Sequence, residues 1–100
     1  MTRKRIDANQ AEIVKLFRDL GASVLILSEM GKGCPDLAIG FAGKNALVEI
    51  KDGKKPPSAR KLTNDEAVFF RDWLGFACII KDATDAIDLI NRMRGSHFAT

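Results

Sequence analysis

The chain has 100 residues, 46% hydrophobic and 29% charged, with a net charge of +3. That is enough for one core, too little for a catalytic domain plus an independent recognition domain, and too apolar for a disordered polyelectrolyte. No apolar run reaches the length of a bilayer, and the basic start Thr2-Arg3-Lys4-Arg5 lacks the apolar segment of a secretory signal, so no membrane association and a cytoplasmic location are expected, in the host cytoplasm if a phage encodes the chain.

After a basic tail over residues 1–6, the first helix is predicted to begin at Asp7, capping toward Gln10, and to end at Gly21. Its apolar stripe is Ile13, Leu16, Phe17 and Leu20, with Glu12 at the border, where a carboxylate on an ordinary helix is simply solvated. Ser23 to Ser28 is a continuous apolar run, predicted as a strand buried on both faces. Residues 29–35 form a Gly-rich loop. No Gly-Lys-Ser/Thr follows it, so the loop reads as a turn without a nucleotide cofactor, with Lys32 as a candidate phosphate contact. Asp36 to Phe41 is a second strand, residues 42–44 a hairpin turn around Gly43, and residues 45–51 a third strand.

A basic loop follows, in which Lys54, Lys55, Arg60 and Lys61 crowd around the stiff Pro56-Pro57 pair. A solvated surface loop explains those charges as readily as phosphate contact does, and adjacency to the carboxylates upstream favours contact. The second helix is predicted from about Asn64 to Leu74, with Ala67, Phe70, Trp73 and Leu74 facing inward as core rather than as base-stacking platforms. Thr63 with Glu66 three residues on reads as a capping box, with an active-site role for Glu66 as the alternative. Phe76 to Ile80 is a fourth strand. Asp82 caps a third helix whose inner face is Ala83, Ala86, Ile87, Ile90 and Met93, leaving Asp85 and Asp88 outside. Residues 95–100 are a tail whose His97 has no evident ligand role, so residues 1–100 make one domain. Cys34 and Cys78 have no metal-binding spacing and are expected reduced, Cys78 as a small buried hydrophobe.

The chemistry concentrates at Gly33-Cys34-Pro35-Asp36 and, thirteen residues after Asp36, at Glu49-Ile50-Lys51. Alternate residues of a strand share a face, so Glu49 and Lys51 are neighbours by construction, and the hairpin brings Asp36 beside Glu49. Two hard carboxylates at one point suit Mg²⁺, which takes one or two such ligands and fills its shell with water and substrate phosphate. Lys51, a compact point charge, is suited to orienting an attacking water or offsetting charge on a transition-state phosphate.

Pro35-Asp36 followed by Glu49-Ile50-Lys51 resembles the PD-(D/E)XK signature of restriction-endonuclease-like nucleases, and the longer string Gly-Cys-Pro-Asp-Leu, Val-Glu-Ile-Lys, Lys-Leu-Thr is similar to the VRR-NUC branch of that superfamily. The resemblance implies an α/β restriction-endonuclease-like core of order αβββαβ plus a C-terminal helix, with a mixed central sheet flanked by helices. It implies metal ligation by Asp36, Glu49 and the Ile50 backbone carbonyl, a contribution from Glu12, and Lys51 as the catalytic lysine. Mg²⁺ is the implied cofactor, with Mn²⁺ as a substitute. Stand-alone members imply a homodimer cutting branched DNA such as Holliday junctions. The branch usually carries Gln at the position of Glu66, and the Glu here leaves rate and substrate preference open. The alternatives are a non-catalytic nucleic-acid-binding module, or a nuclease acting on RNA or other phosphodiesters, because metal-site residues see the phosphate and not the sugar.

Overall fold

The computed structural model describes residues 6–95; the basic N-terminal run and the tail carrying His97 lie outside the described residues. The elements follow one another as α1 (Gln10–Asp19), β1 (Ser23–Ile26), β2 (Leu37–Phe41), β3 (Lys44–Ile50), a short 3₁₀ turn at Pro57–Arg60, α2 (Asn64–Asp72), β4 (Ala77–Ile80) and α3 (Ala83–Arg94). The sheet order is β1-β2-β3-β4. The first three strands are antiparallel neighbours and β4 runs parallel to β3, so the sheet is mixed.

The β2–β3 hairpin turns through Ala42 and Gly43, both at positive φ, 53° and 77°. That is the turn whose twist matches the strands it joins. Its register pairs Leu37 with Val48 and Ala38 with Leu47. One face of the sheet presents Leu37, Ile39, Val48, Ile50 and Ile80 to α1 and α3, and this layer is the core. Phe17 of α1 and Met93 of α3 are fully buried there. Each such side chain contributes about 1.5–3 kcal/mol on burial.

Several expectations are corrected. The first helix starts at Gln10 rather than at Asp7, because the Asp7 carbonyl, not its side chain, takes the Gln10 amide. Val14 joins Ile13 and Phe17 on its buried side, with Leu16 and Leu20 only partly covered. β1 is not buried on both faces: it is an edge strand, and Leu25 and Ile26 remain 66% and 55% exposed. In α2, Ala67 is exposed, and Trp73 and Leu74 lie beyond the helix end at 46% and 97% exposure. Trp73 stacks on Phe69 with ring centroids 5.2 Å apart instead of entering the core. α3 buries Leu89 where Ile87 and Ala83 were expected. Asp85 turns back to accept from both the backbone and the ammonium of Lys81. Cys78 is only partly covered, although burial still pushes its thiol up to about 11.

The loop before β2 docks on the start of α2. Gly33 sits at φ 77°, and a β-carbon there would meet the Asp65 carbonyl and lie 2.7 Å from the Glu66 nitrogen. Gly33→Ala therefore combines left-handed backbone strain, about 1–2 kcal/mol, with a clash against helix backbone that cannot yield cheaply. Thermal unfolding followed by circular dichroism should show a loss larger than the backbone strain alone, and a variant as stable as the parent would mean that this loop does not hold α2.

Candidate active site

Continuing the β2–β3 register one step past Leu37 and Val48 sets Asp36 across from Glu49. Asp36 is 2% and Glu49 1% exposed. Lys51, one step beyond the end of β3, shares the Glu49 face. The expected convergence of Asp36, Glu49 and Lys51 on one end of the hairpin is thus present, on the sheet face opposite α1 and α3.

Buried carboxylates and ammonium groups are costly unless they are partnered. Here the partners are local. The Ile50 amide donates to Asp36 Oδ2 at 2.7 Å, a charge-assisted bond. Lys51 Nζ lies 3.5 Å from Glu49 Oε2 and donates to Glu66 Oε1 at 2.8 Å. Glu66 also closes the capping box: its carboxylate accepts from the Thr63 amide at 2.9 Å, and its own amide donates to Thr63 Oγ1 at 3.2 Å. The two readings of Glu66 are therefore not alternatives in space. One oxygen serves the cap and the ammonium together. Among the described residues, the only buried ionisable side chains are Asp36, Glu49, Lys51 and Glu66.

The electrostatics follow from this packing. Burial alone would raise the Glu66 carboxyl, but the Lys51 ammonium and the Thr63 amide outweigh it and hold the group down at about 2. Burial alone would lower Lys51, and its hydrogen bond and charge contact with Glu66, with Glu49 adding, leave it raised above the ordinary lysine value.

The remaining predicted residues separate. Glu12 is exposed and lines a different cavity of about 430 Å³ with Asn9, Asp52, Lys54 and Lys81 among its walls. Lys54 belongs there too, and Lys55 lies 3.7 Å from Asp7. Lys32 lines a shallow groove against α2 with Asp65, Phe69 and Trp73. Arg60 and Lys61 instead line a cavity that includes Lys51. Among the described residues no group of three or more His, Cys, Asp or Glu side chains is arranged to hold a metal ion. Asp36 and Glu49 are two buried carboxylates, the residue type that Mg²⁺ takes as ligands.

Two participants were not anticipated. Asn9 donates from Nδ2 to the Lys51 carbonyl at 3.2 Å and to the Lys81 carbonyl at 3.1 Å, stapling the ends of β3 and β4 to the start of α1. Lys81, at the end of β4, joins the cavity beside Lys51. An Asn at a helix start reads as a cap, and a Lys after an apolar strand reads as a solvated end, so neither carries a local signal. No family model matches the chain, and neither a curated protein nor a solved structure matches it.

Because the folded carboxyl of Glu66 lies near 2, below its ordinary 4.5, its contribution to stability is present above the ordinary value and is lost as pH falls through the folded one. Glu66→Gln keeps a capping-box side chain while removing the charge from Lys51. Urea unfolding of the parent between pH 5 and pH 2 should lose stability more steeply than that of Glu66→Gln. Equal slopes would mean that Glu66 is not held ionised by Lys51.

Proposed function

We propose that this chain is a divalent-metal-dependent nuclease on a restriction-endonuclease-like core, hydrolysing DNA phosphodiester bonds, with branched DNA such as a Holliday junction as the preferred substrate. The observation that carries the reading is the buried cluster itself: three carboxylates and one ammonium, with every buried ionisable side chain of the described residues drawn to one point. A chain of this size has no structural need to bury four charges, and such clusters concentrate at sites of chemistry. With its three carboxyl groups ionised the cluster would carry a net negative charge, which a cation would offset.

Asp36 and Glu49 are the residues that would hold the ion, with the Ile50 carbonyl as a further donor. A bound Mg²⁺ or Mn²⁺ supplies Lewis-acid polarisation of the phosphoryl oxygen and a more nucleophilic bound water. The chain supplies the rest. The Ile50 amide fixes the Asp36 carboxylate through Oδ2. Lys51, its ammonium oriented by Glu49 and Glu66, offers a fixed positive charge toward the negative charge developing on the phosphate oxygens. Its position is set before substrate arrives, so no reorganisation is needed during the reaction.

The homodimer belongs to the same reading. Leu25, Ala38, Leu47 and Ala77 are direct cross-strand neighbours, so they form one row across all four strands on the face that carries Glu49. No helix among α1 and α3 covers that face. Leu25 and Ile79 on the strands, and Trp73 and Leu74 after α2, are left exposed, apolar surface of the kind that partners cover. A second copy related by a two-fold axis would cover this face and place two sites on one substrate.

Asp36→Ala and Glu49→Ala should each abolish cleavage of a panel of duplex, single-stranded, flap and four-way-junction DNAs in Mg²⁺ or Mn²⁺, while Lys51→Ala lowers the rate by roughly two to four orders of magnitude. Full cleavage by purified Glu49→Ala would overturn the assignment, and cleavage confined to an RNA panel would move the substrate without moving the site. Sedimentation velocity at assay concentration should give a dimer that Leu25→Glu with Leu74→Glu converts to monomer; a monomeric parent protein that still cuts paired strands would remove the dimer and leave the chemistry intact.

A further inference from the structure

Beside the buried cluster lies a cavity of about 360 Å³ lined by Lys51, Pro57, Arg60, Lys61, Ile79 and Lys81. Four of its six lining residues are cationic and none is acidic. That volume is at the lower end of the ~300–1,000 Å³ typical of ligand pockets. It suits a group such as a phosphate with part of its sugar better than a base pair.

The walls come from three segments and are tied together by backbone. The Lys51 amide donates to the Ile80 carbonyl at 3.0 Å and the Gly53 amide to the Lys81 carbonyl at 3.1 Å. Asn9 bridges the Lys51 and Lys81 carbonyls from below. Gly53 has no room for a side chain, since a β-carbon there would lie 2.9 Å from the Lys81 carbonyl. The basic loop is therefore pressed against the end of β4 by close backbone approach. Pro56 and Pro57 stiffen the 3₁₀ turn that carries Arg60. The Arg60 guanidinium is oriented by its Nε bond to the Lys55 carbonyl at 2.9 Å, and Asp85 holds the Lys81 ammonium at 2.8 Å. Like-charged side chains repel unless an anion joins them. Lys51 and Lys81 already meet Glu66 and Asp85, and Arg60 and Lys61 add two further cations to the same walls, a positive lining that an anion complements.

We propose that this cavity is a phosphate subsite in which Arg60, Lys61 and Lys81 hold the nucleic-acid phosphodiester adjacent to the one presented to Lys51. Lys51 belongs to both sites, since it lines the cavity and its ammonium meets Glu66 and Glu49, so the subsite sets the register of the strand along the cluster. The assignment of the neighbouring phosphate rests on the nuclease reading; the binding itself does not. Lys54 and Lys55, though in the same loop, face elsewhere and take no part.

The test needs neither metal nor cleavage. In EDTA, fluorescence anisotropy of a labelled short single strand across a salt series should show Lys61→Gln with Lys81→Gln binding at least tenfold more weakly at low salt. Two lost phosphate contacts should also flatten the log–log salt slope by about 1.4. Lys15→Gln with Arg18→Gln, on the exposed side of α1, serves as the control and should change the slope by much less. In ¹H–¹⁵N spectra, added pyrophosphate should shift the Gly53, Lys61, Ile79 and Lys81 amides. An unchanged slope, an equal effect of the control pair, or pyrophosphate shifts centred elsewhere would each overturn the subsite. If Lys81→Gln lowers the melting temperature by releasing Asp85, exposed Lys61→Glu alone carries the test and should give at least half of the slope change. Loss of the subsite with cleavage retained, or loss of cleavage in Glu49→Ala with phosphate binding retained, separates the two readings.

Discussion

The ammonium of Lys51, buried between Glu66 at 2.8 Å and Glu49 at 3.5 Å, constrains most of what surrounds it. Removing one partner from such a group leaves an uncompensated buried charge, typically about 3–5 kcal/mol. The chain therefore has to deliver carboxylates to this point from two separate elements, β3 and α2. Asp36 arrives from β2 and is satisfied in turn by the Ile50 amide. The capping box at Thr63 is part of the same arrangement, because the oxygen that steadies the helix start also holds the ammonium.

Topology makes that delivery feasible. Because β4 runs parallel to β3, the connection between them must cross back along the sheet, and α2 is that crossover. Its first turn lies beside the carboxyl end of β3, where Glu66 meets Lys51. The same parallel pair ends in Lys51 and Lys81, so the basic cavity sits outside the carboxyl ends of parallel strands, the crevice that open α/β sheets generally use for ligands. The antiparallel hairpin does the complementary work, since its register decides that Asp36 and Glu49 oppose each other and do not fall on different faces.

The two faces of the sheet have different duties. α1 and α3 cover one and make the core. The other carries the charged cluster at one end and an apolar row along its length, and α2 ends in an uncovered Trp73 and Leu74. A helix whose first turn is committed to a buried ion pair is not free to rotate its apolar residues onto the sheet. This explains why the sequence periodicity of α2 misassigned its inward side.

Local pattern was sufficient for the elements. The third strand expected over residues 45–51, the Gly43 turn, the Thr63 and Asp82 caps and the existence of α1 and α3 all survive in the structure, with ends shifted by a few residues and the inner faces of the two helices partly reassigned. The proximity of Glu49 and Lys51 was legible in the sequence, because alternate residues of an extended segment share a face, and it persists although β3 ends at Ile50; Asp36 joined them through a short hairpin. Relationships between segments distant in the chain were decided only by tertiary structure. β1 became an exposed edge, Glu12 went to a separate cavity, Glu66 became the partner of Lys51, and Asn9 tied β3 to β4 across 42 and 72 residues of sequence. Periodicity records which side of an element is apolar. It carries no information about which distant element will cover that side, and that choice is made by the pairing of strands and the satisfaction of buried charge.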